Sequence, residues 1–214
     1  MTVTTLALGL AYVGSAIGVA MVIPQILRIL RHPSMGGVSP WTWAITATSC
    51  VLWLTYGVRS GSLPQIPGNV LLVSGAVAIV LLVPAMWSRA LRALLLVTVT
   101  GTLVLVSTQL APEQVGFLAF GIGVFGMWPQ VYETVWARRG MGPSAISITS
   151  QGLKLASQSC WITFAVLTLD VPVIVSALMA LSTNTVVTAV ELRRRRDAAS
   201  ALPAYDRVLV GAEA

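Results

Sequence analysis

Charge is scarce in this sequence: 9% of its 214 residues are Asp, Glu, Lys or Arg, against 56% that are hydrophobic, and the mean hydropathy is +0.85. No soluble core of this size needs so much apolar surface, so the surplus faces lipid. Cysteine is nearly missing too, and Cys50 and Cys160 both fall inside apolar runs, where a thiol acts as a small buried hydrophobe. That argues against a disulfide framework or a thiolate metal site. One histidine and seven acids offer no metal-ligand cluster, and no nucleophile, base and orienting group converge. An enzyme is therefore not expected, and neither a metal nor a cofactor is implied. Lysine is reduced to Lys154 beside 12 arginines, with Ala, Val and Leu abundant, a usage typical of high-GC bacterial genomes. A bacterial inner, plasma membrane is the expected location.

The net charge of +6 is distributed in short clusters between apolar runs. Such clusters anchor a chain at the cytoplasmic face of a bilayer. No basic stripe interleaved with aromatics is present, so nucleic acid is not an expected partner. The first apolar stretch has no basic residues before it and Arg28 and Arg31 after it, the reverse of a cleavable signal peptide.

Runs of the ~20 residues needed to cross a bilayer extend over Thr5 to Leu27, Ser39 to Val58, Leu63 to Trp87, Arg89 to Leu110, Glu113 to Trp136, Ser147 to Leu169 and Val171 to Leu192. They are too continuous for barrel strands, and in hydrocarbon a backbone must satisfy its own hydrogen bonds, so they read as helices. Arg28, Arg31, Arg89, Arg92, Arg138, Arg139 and Arg193 to Arg196 lie at one set of ends, while Arg59, Glu113 and Asp170 mark the other. The positive-inside rule then places the N-terminus outside and the C-terminus in the cytoplasm. An odd number of spans is required, and seven satisfies it. The expected fold class is an all-α, multi-pass membrane protein of seven transmembrane helices.

The chain also repeats itself. At an offset of 105, Gly18, Val19, Pro24 and Gln25 fall on Gly123, Val124, Pro129 and Gln130; at 108, Ser39, Ser49, Trp53, Thr55, Pro64 and Ile66 fall on Ser147, Ser157, Trp161, Thr163, Pro172 and Ile174. The matches cover three consecutive helices in each half. The run from Arg89 to Leu110 has no counterpart, and a fourth helix is what restores a second triplet to the orientation of the first. The expected organisation is two parallel three-helix repeats, 1–87 and 112–196, joined by a linker helix at 88–111 and followed by a flexible cytoplasmic tail at 197–214. A substrate path would follow the pseudo-two-fold axis between the halves.

The segment Pro24-Gln25-Ile26-Leu27-Arg28 through Gly36-Gly37-Val38-Ser39, echoed by Trp128-Pro129-Gln130 through Ser147, resembles the PQ-loop repeat. The 3+1+3 layout is similar to that of the SWEET sugar transporters. That resemblance implies a carrier of a small polar solute, with sugar the first candidate, working by alternating access between two bundles.

Ser49 and Trp53 are four residues apart, as are Ser157 and Trp161, so each pair shares a helix face. An indole beside a hydroxyl suits a sugar, whose C–H face packs on aromatics while its hydroxyls take hydrogen bonds. The alternative is an interfacial tryptophan and a serine that promotes helix packing; mid-span position and repetition favour the pocket. Asn69 is a site candidate because the resemblance implies a substrate-binding Asn on the third and seventh helices. The second half departs from that pattern, with Ala177 at the matching place, Ser176 beside it and Asn184 two turns on. Lys154, about two turns into the sixth span, either snorkels to headgroups or lines the inner mouth, where it would favour a carboxylate or amino-acid substrate.

Pro24 and Pro129 each remove a backbone donor, and with Gly14, Gly18, Gly121, Gly123 and Gly126 nearby the first and fifth helices read as hinges. The resemblance implies gating there, with Gln25 and Gln130 in the motif and Pro40 serving on the second helix, although Ile148 replaces the matching proline on the sixth. Phe125, one turn before Pro129, reads as a bulky pocket wall or as core, with core the expectation. No carboxylate or histidine is evident mid-membrane, which predicts uncoupled transport. The competing class is a heptahelical ligand-binding or sorting receptor, since the PQ-loop family also resembles receptors that recognise a peptide end. One copy holds both halves of a pathway, and assembly into a homo-oligomer is left open by the sequence.

Overall fold

A computed structural model describes residues 2–23, 26–27, 40–83, 87–137, 139–140, 142, 146 and 148–201, with Pro129, Gln130, Glu133 and Ala201 described by backbone alone. The described residues are helical: α1 (Val3–Ala20), α2 (Pro40–Ser60), α3 (Gln65–Leu82), α4 (Arg89–Ser107), α5 (Pro112–Tyr132), α6 (Ile148–Thr168) and α7 (Val171–Ala201), with a π-helical turn at Glu133–Ala137 closing α5. Four of them, α1, α3, α4 and α7, are long and apolar enough by length and composition to cross a membrane. In α2 and α6, serines, threonines and glutamines interrupt the apolar run.

Packing arranges six of these helices in a ring. α1 packs on α3 and α6, α3 on α2, α2 on α5, α5 on α7, and α7 back on α6. α4 stands outside the ring, against α2 and α3. Two arginines clamp it. Arg59, at the end of α2, donates to the carbonyls of Ser107 and Leu110 at the end of α4. Arg92, in the first turn of α4, donates to Val80 and Val83 at the end of α3. A helix C-terminus has unsatisfied carbonyls and partial negative charge, so a guanidinium is the natural cap.

The boundaries depart from the apolar runs in three places. α1 stops at Ala20, with Met21 in a turn, rather than running unbroken to Leu27; residues 22–23 and 26–27 are again helical. α7 continues to Ala201, nine residues past Leu192, so the first residues assigned to the tail are helical. Charge pairing carries that extension: Arg195 binds Glu191 at 3.1 Å and Arg193 approaches Asp197 at 3.9 Å, both at i,i+4 spacing. Pro40 is the first residue of α2. A proline in the first turn loses only a donor that has no intrahelical partner, so it costs α2 no hydrogen bond.

The repeat reaches the turns. α2 ends with Ser62 N–H bonding the Gly57 carbonyl and Gly61 at φ 73°; α6 ends with Asp170 N–H bonding Ala165 and Leu169 at φ 56°. Both are helix terminations through a left-handed residue, 108 positions apart. In the second copy a leucine occupies the left-handed position, where a Cβ costs about 1 kcal/mol. Leu169→Gly is therefore expected to raise the melting temperature by about 1–3 °C, checked by thermal unfolding in detergent.

Candidate functional site: the seam between the two halves

The two contacts that close the ring, α1 with α6 and α2 with α5, join one half to the other. Ser49 Oγ, on α2, donates to the Ala119 carbonyl of α5 at 2.9 Å; Ser157 Oγ, on α6, donates to the Gly14 carbonyl of α1 at 2.8 Å. Applying the two offsets to one bond generates the other. The same holds for the glycines opposite them. A Cβ at Gly123 would lie 3.1 Å from Ser49 Oγ, and one at Gly18 3.5 Å from Ser157 Oγ. These glycines, together with Gly14 and Gly126, thin the α1 and α5 faces so that the partner helix can approach. Packing across the seam, and not only backbone freedom, accounts for them.

This geometry corrects the assignment of Ser49 and Ser157 to substrate. Both are buried, and each spends its donor on a carbonyl of the opposite half. In an apolar interior such a hydroxyl satisfies itself on the nearest carbonyl.

The tryptophans one turn further on come together. Trp53 and Trp161 both pack, half-buried, against a single cluster made of Ala7, Ala11, Tyr56, Val115, Phe164, Ala165 and Val173. Each leans edge-on against an aromatic three residues later: Trp53 on Tyr56 with ring centroids 5.7 Å apart, Trp161 on Phe164 at 5.6 Å. Beyond this layer Tyr56 Oη donates to Asp170 Oδ1 at 2.7 Å, bridging the two halves. The same carboxylate accepts from Val173 N–H at the start of α7. Neither Tyr56 nor the role of Asp170 emerged from the sequence, where Asp170 registered only as a charge between spans. The available signal was a tyrosine one turn beyond the repeated tryptophan.

Burial holds the Asp170 carboxyl above the usual carboxylate range, and Glu113 pushes the same way, while the bonds from Tyr56 and Val173 pull against them. Glu113 is exposed on the first turn of α5.

The other candidates are more dispersed. Asn69 is half-buried on α3 and donates to the Gln65 carbonyl of its own helix at 2.8 Å; Asn184 on α7 does likewise to Ala180 at 2.7 Å. Ser176 is half-buried on α7. Lys154 is half-buried one turn before Ser157 on the stripe that carries Trp161, and makes no ion pair among the described residues. Pro129 falls within α5 just before the π-helical turn. Pro24 and Gln25 lie outside the described residues, as do the side chains of Pro129 and Gln130. Phe125 is 71% exposed, correcting its placement in the core. Glu191, by contrast, is fully buried beside Arg195, whose second nitrogen holds the Ile146 carbonyl, while Arg194 holds that of Thr134.

Comparison with known proteins fits this arrangement. Residues 6–66 match the PQ loop repeat family. The fold matches the structure of a eukaryotic SWEET transporter with a TM-score of 0.77 at 13% sequence identity, over 91% of this chain and 99% of that one. The chain has a SWEET-like fold, and its first 66 residues include the segment that resembles a PQ-loop repeat. No curated protein matches the sequence. With its apolar helices in that fold, the chain is a multi-pass membrane protein.

Proposed function

We propose that the chain is a facilitative transporter of a small polar solute, most plainly a sugar, in which two parallel three-helix units rock against each other across the seam. α1 to α3 form one unit and α5 to α7 the other, with α4 returning the chain; seven spans put the N-terminus outside and the cytoplasmic arginines inside. The observation that carries this reading is the duplicated contact set: Ser49 on Ala119, Ser157 on Gly14, and two tryptophans meeting on one cluster. A ring built from two related halves leaves its substrate path on the axis between them. Trp53, Trp161 and Asn69 supply indole faces and an amide there, as a sugar requires. The Tyr56–Asp170 bond and the cluster beneath it close the outer end.

The test is flux of radiolabelled glucose and other sugars into proteoliposomes containing the purified chain. Saturable equilibration, with no accumulation when a pH gradient is imposed, is the expected result. Uphill accumulation would overturn the uncoupled mechanism, and absence of any solute flux would favour a receptor. A second reading rests on Lys154, whose ammonium on the Ser157–Trp161 stripe has no acid beside it among the described residues. Inhibition of sugar flux by carboxylates or amino acids, lost in Lys154→Gln, would move the substrate class to anions.

Alkali should ease the outer closure. Burial in the closed state holds the Asp170 carboxyl above the range of a free aspartate, so the closed state binds the proton more tightly than an opened, hydrated one. Closure is therefore favoured by acid and weakens as external pH rises through that raised value. With Tyr56 the direct donor and Glu113 the neighbouring acid, outward opening is expected to fall several-fold on external acidification. In Asp170→Asn the pH profile of flux should flatten; an unchanged profile would remove Asp170 from the gate.

A further inference from the structure

A cavity of about 430 Å³ lies apart from the central seam, between the linker helix α4 and the faces of α2 and α5. Its walls are apolar: Ala44 and Ile45 from α2, Val99 and Leu103 from α4, Ile122 and Phe125 from α5. Phe125 is 71% exposed and Val99 51%, so the slot opens sideways, toward the bilayer in the reading above. At its other end stands Arg92. That side chain is 4% exposed, and while one terminal nitrogen caps α3, its Nε has no hydrogen-bond partner among the described residues. A buried guanidinium donor without an acceptor is costly unless something supplies one. Beside it, Trp41 and Trp87 meet edge-on with centroids 5.0 Å apart, both exposed, and Arg89 is exposed on the first turn of α4. Tryptophan and arginine together mark headgroup depth.

From Arg92 to Leu103 the slot follows α4 for about 16 Å at 1.5 Å per residue. A long, nearly wholly apolar slot with a cation at its headgroup end matches one amphiphile and does not match a polar solute. We propose that this slot binds an acyl chain of an anionic phospholipid from the cytoplasmic leaflet, with the headgroup phosphate on Arg92 and Arg89. Its walls come from the linker and from both halves, so the lipid would bear on the α2–α5 seam. The proposal rests on the membrane orientation given above and not on the identity of the transported solute.

The test is thermal unfolding of the purified full chain in neutral detergent with added phosphatidylglycerol, compared with phosphatidylcholine of the same chains. Phosphatidylglycerol is expected to raise the melting temperature on the order of 3 °C more. Glycerol phosphate alone, lacking the chain, should give no shift. Arg92→Gln should reduce the phosphatidylglycerol effect to that of phosphatidylcholine. Because Arg92 also caps α3 and this variant can fail to fold, Val99→Trp provides the second arm: it blocks the slot from its open side and should abolish the preference with Arg92 intact. Equal shifts for the two lipids in the wild type, or a preference that survives Val99→Trp, would overturn the site. A glycerol phosphate shift equal to that of the whole lipid would do the same, reducing it to an anion site. Proteoliposome flux is read separately, so a transporting protein without lipid preference sinks this inference alone.

Discussion

Alanine at Trp161 is expected to lower carrier-mediated flux by about a hundredfold at sub-saturating substrate, and alanine at Trp53 by a similar factor. Each indole is half-buried on the cluster formed with Ala11, Tyr56, Phe164 and Val115, and in the proposed pathway its remaining face meets the substrate. Loss of one aromatic face against a sugar removes about 2–3 kcal/mol, and every 1.4 kcal/mol is about tenfold in affinity. Phenylalanine should restore part of the flux, since it keeps an apolar face and loses the indole N–H. The check is initial-rate uptake in proteoliposomes alongside melting temperature. Both alanine variants retaining more than about a third of wild-type flux would remove the tryptophans from the pathway, whatever their effect on stability.

The spans were legible because lipid imposes a simple rule: a helix that faces it must be apolar for its whole length. That rule located α3, α4 and α7 to within a few residues of their starts. It said nothing about where α7 ends, because beyond Leu192 the helix is held by Arg193–Asp197 and Arg195–Glu191 pairing. Internal repetition was legible for another reason. Ser49 and Ser157 occur at equal spacing because each meets a carbonyl of the other half, and two copies of one contact preserve the residues on both sides of it.

What spacing cannot convey is what stands opposite a residue. Ser49 and Trp53 share a helix face, yet the hydroxyl finds the Ala119 carbonyl while the indole reaches an aromatic cluster. Tyr56 and Asp170 are 114 residues apart, and their bond exists only because two helix ends meet outside the repeat register. Arginines were visible as charges at helix ends, but Arg59 and Arg92 also act as caps, each on a different helix. Phe125 illustrates the reverse error. In water an exposed phenylalanine is costly, whereas in a bilayer the outside of the protein is as apolar as its core, so hydrophobicity no longer reports burial.

Gly116→Val is expected to do the greatest damage to the outer closure. A Cβ at Gly116 would lie 2.7 Å from Pro172 Cβ and 3.2 Å from Tyr56 Cδ2. The proline ring cannot rotate away, and Tyr56 is held by its bond to Asp170. Offset by 105, the first half has Ala11 in the same place, buried within the cluster, so that copy accommodates a methyl where this one does not. Overpacking a tight contact costs about 1–3 kcal/mol, a loss of about 3–10 °C in melting temperature for a chain of this size. Relief can come only by displacing Tyr56 or the start of α7, and either movement breaks the latch. Valine should therefore destabilise the protein and also make its flux insensitive to external pH, because Asp170 is then no longer buried in a closed end that shifts its titration. Lower stability with the pH dependence intact would show that the packing at Gly116 and the latch are independent.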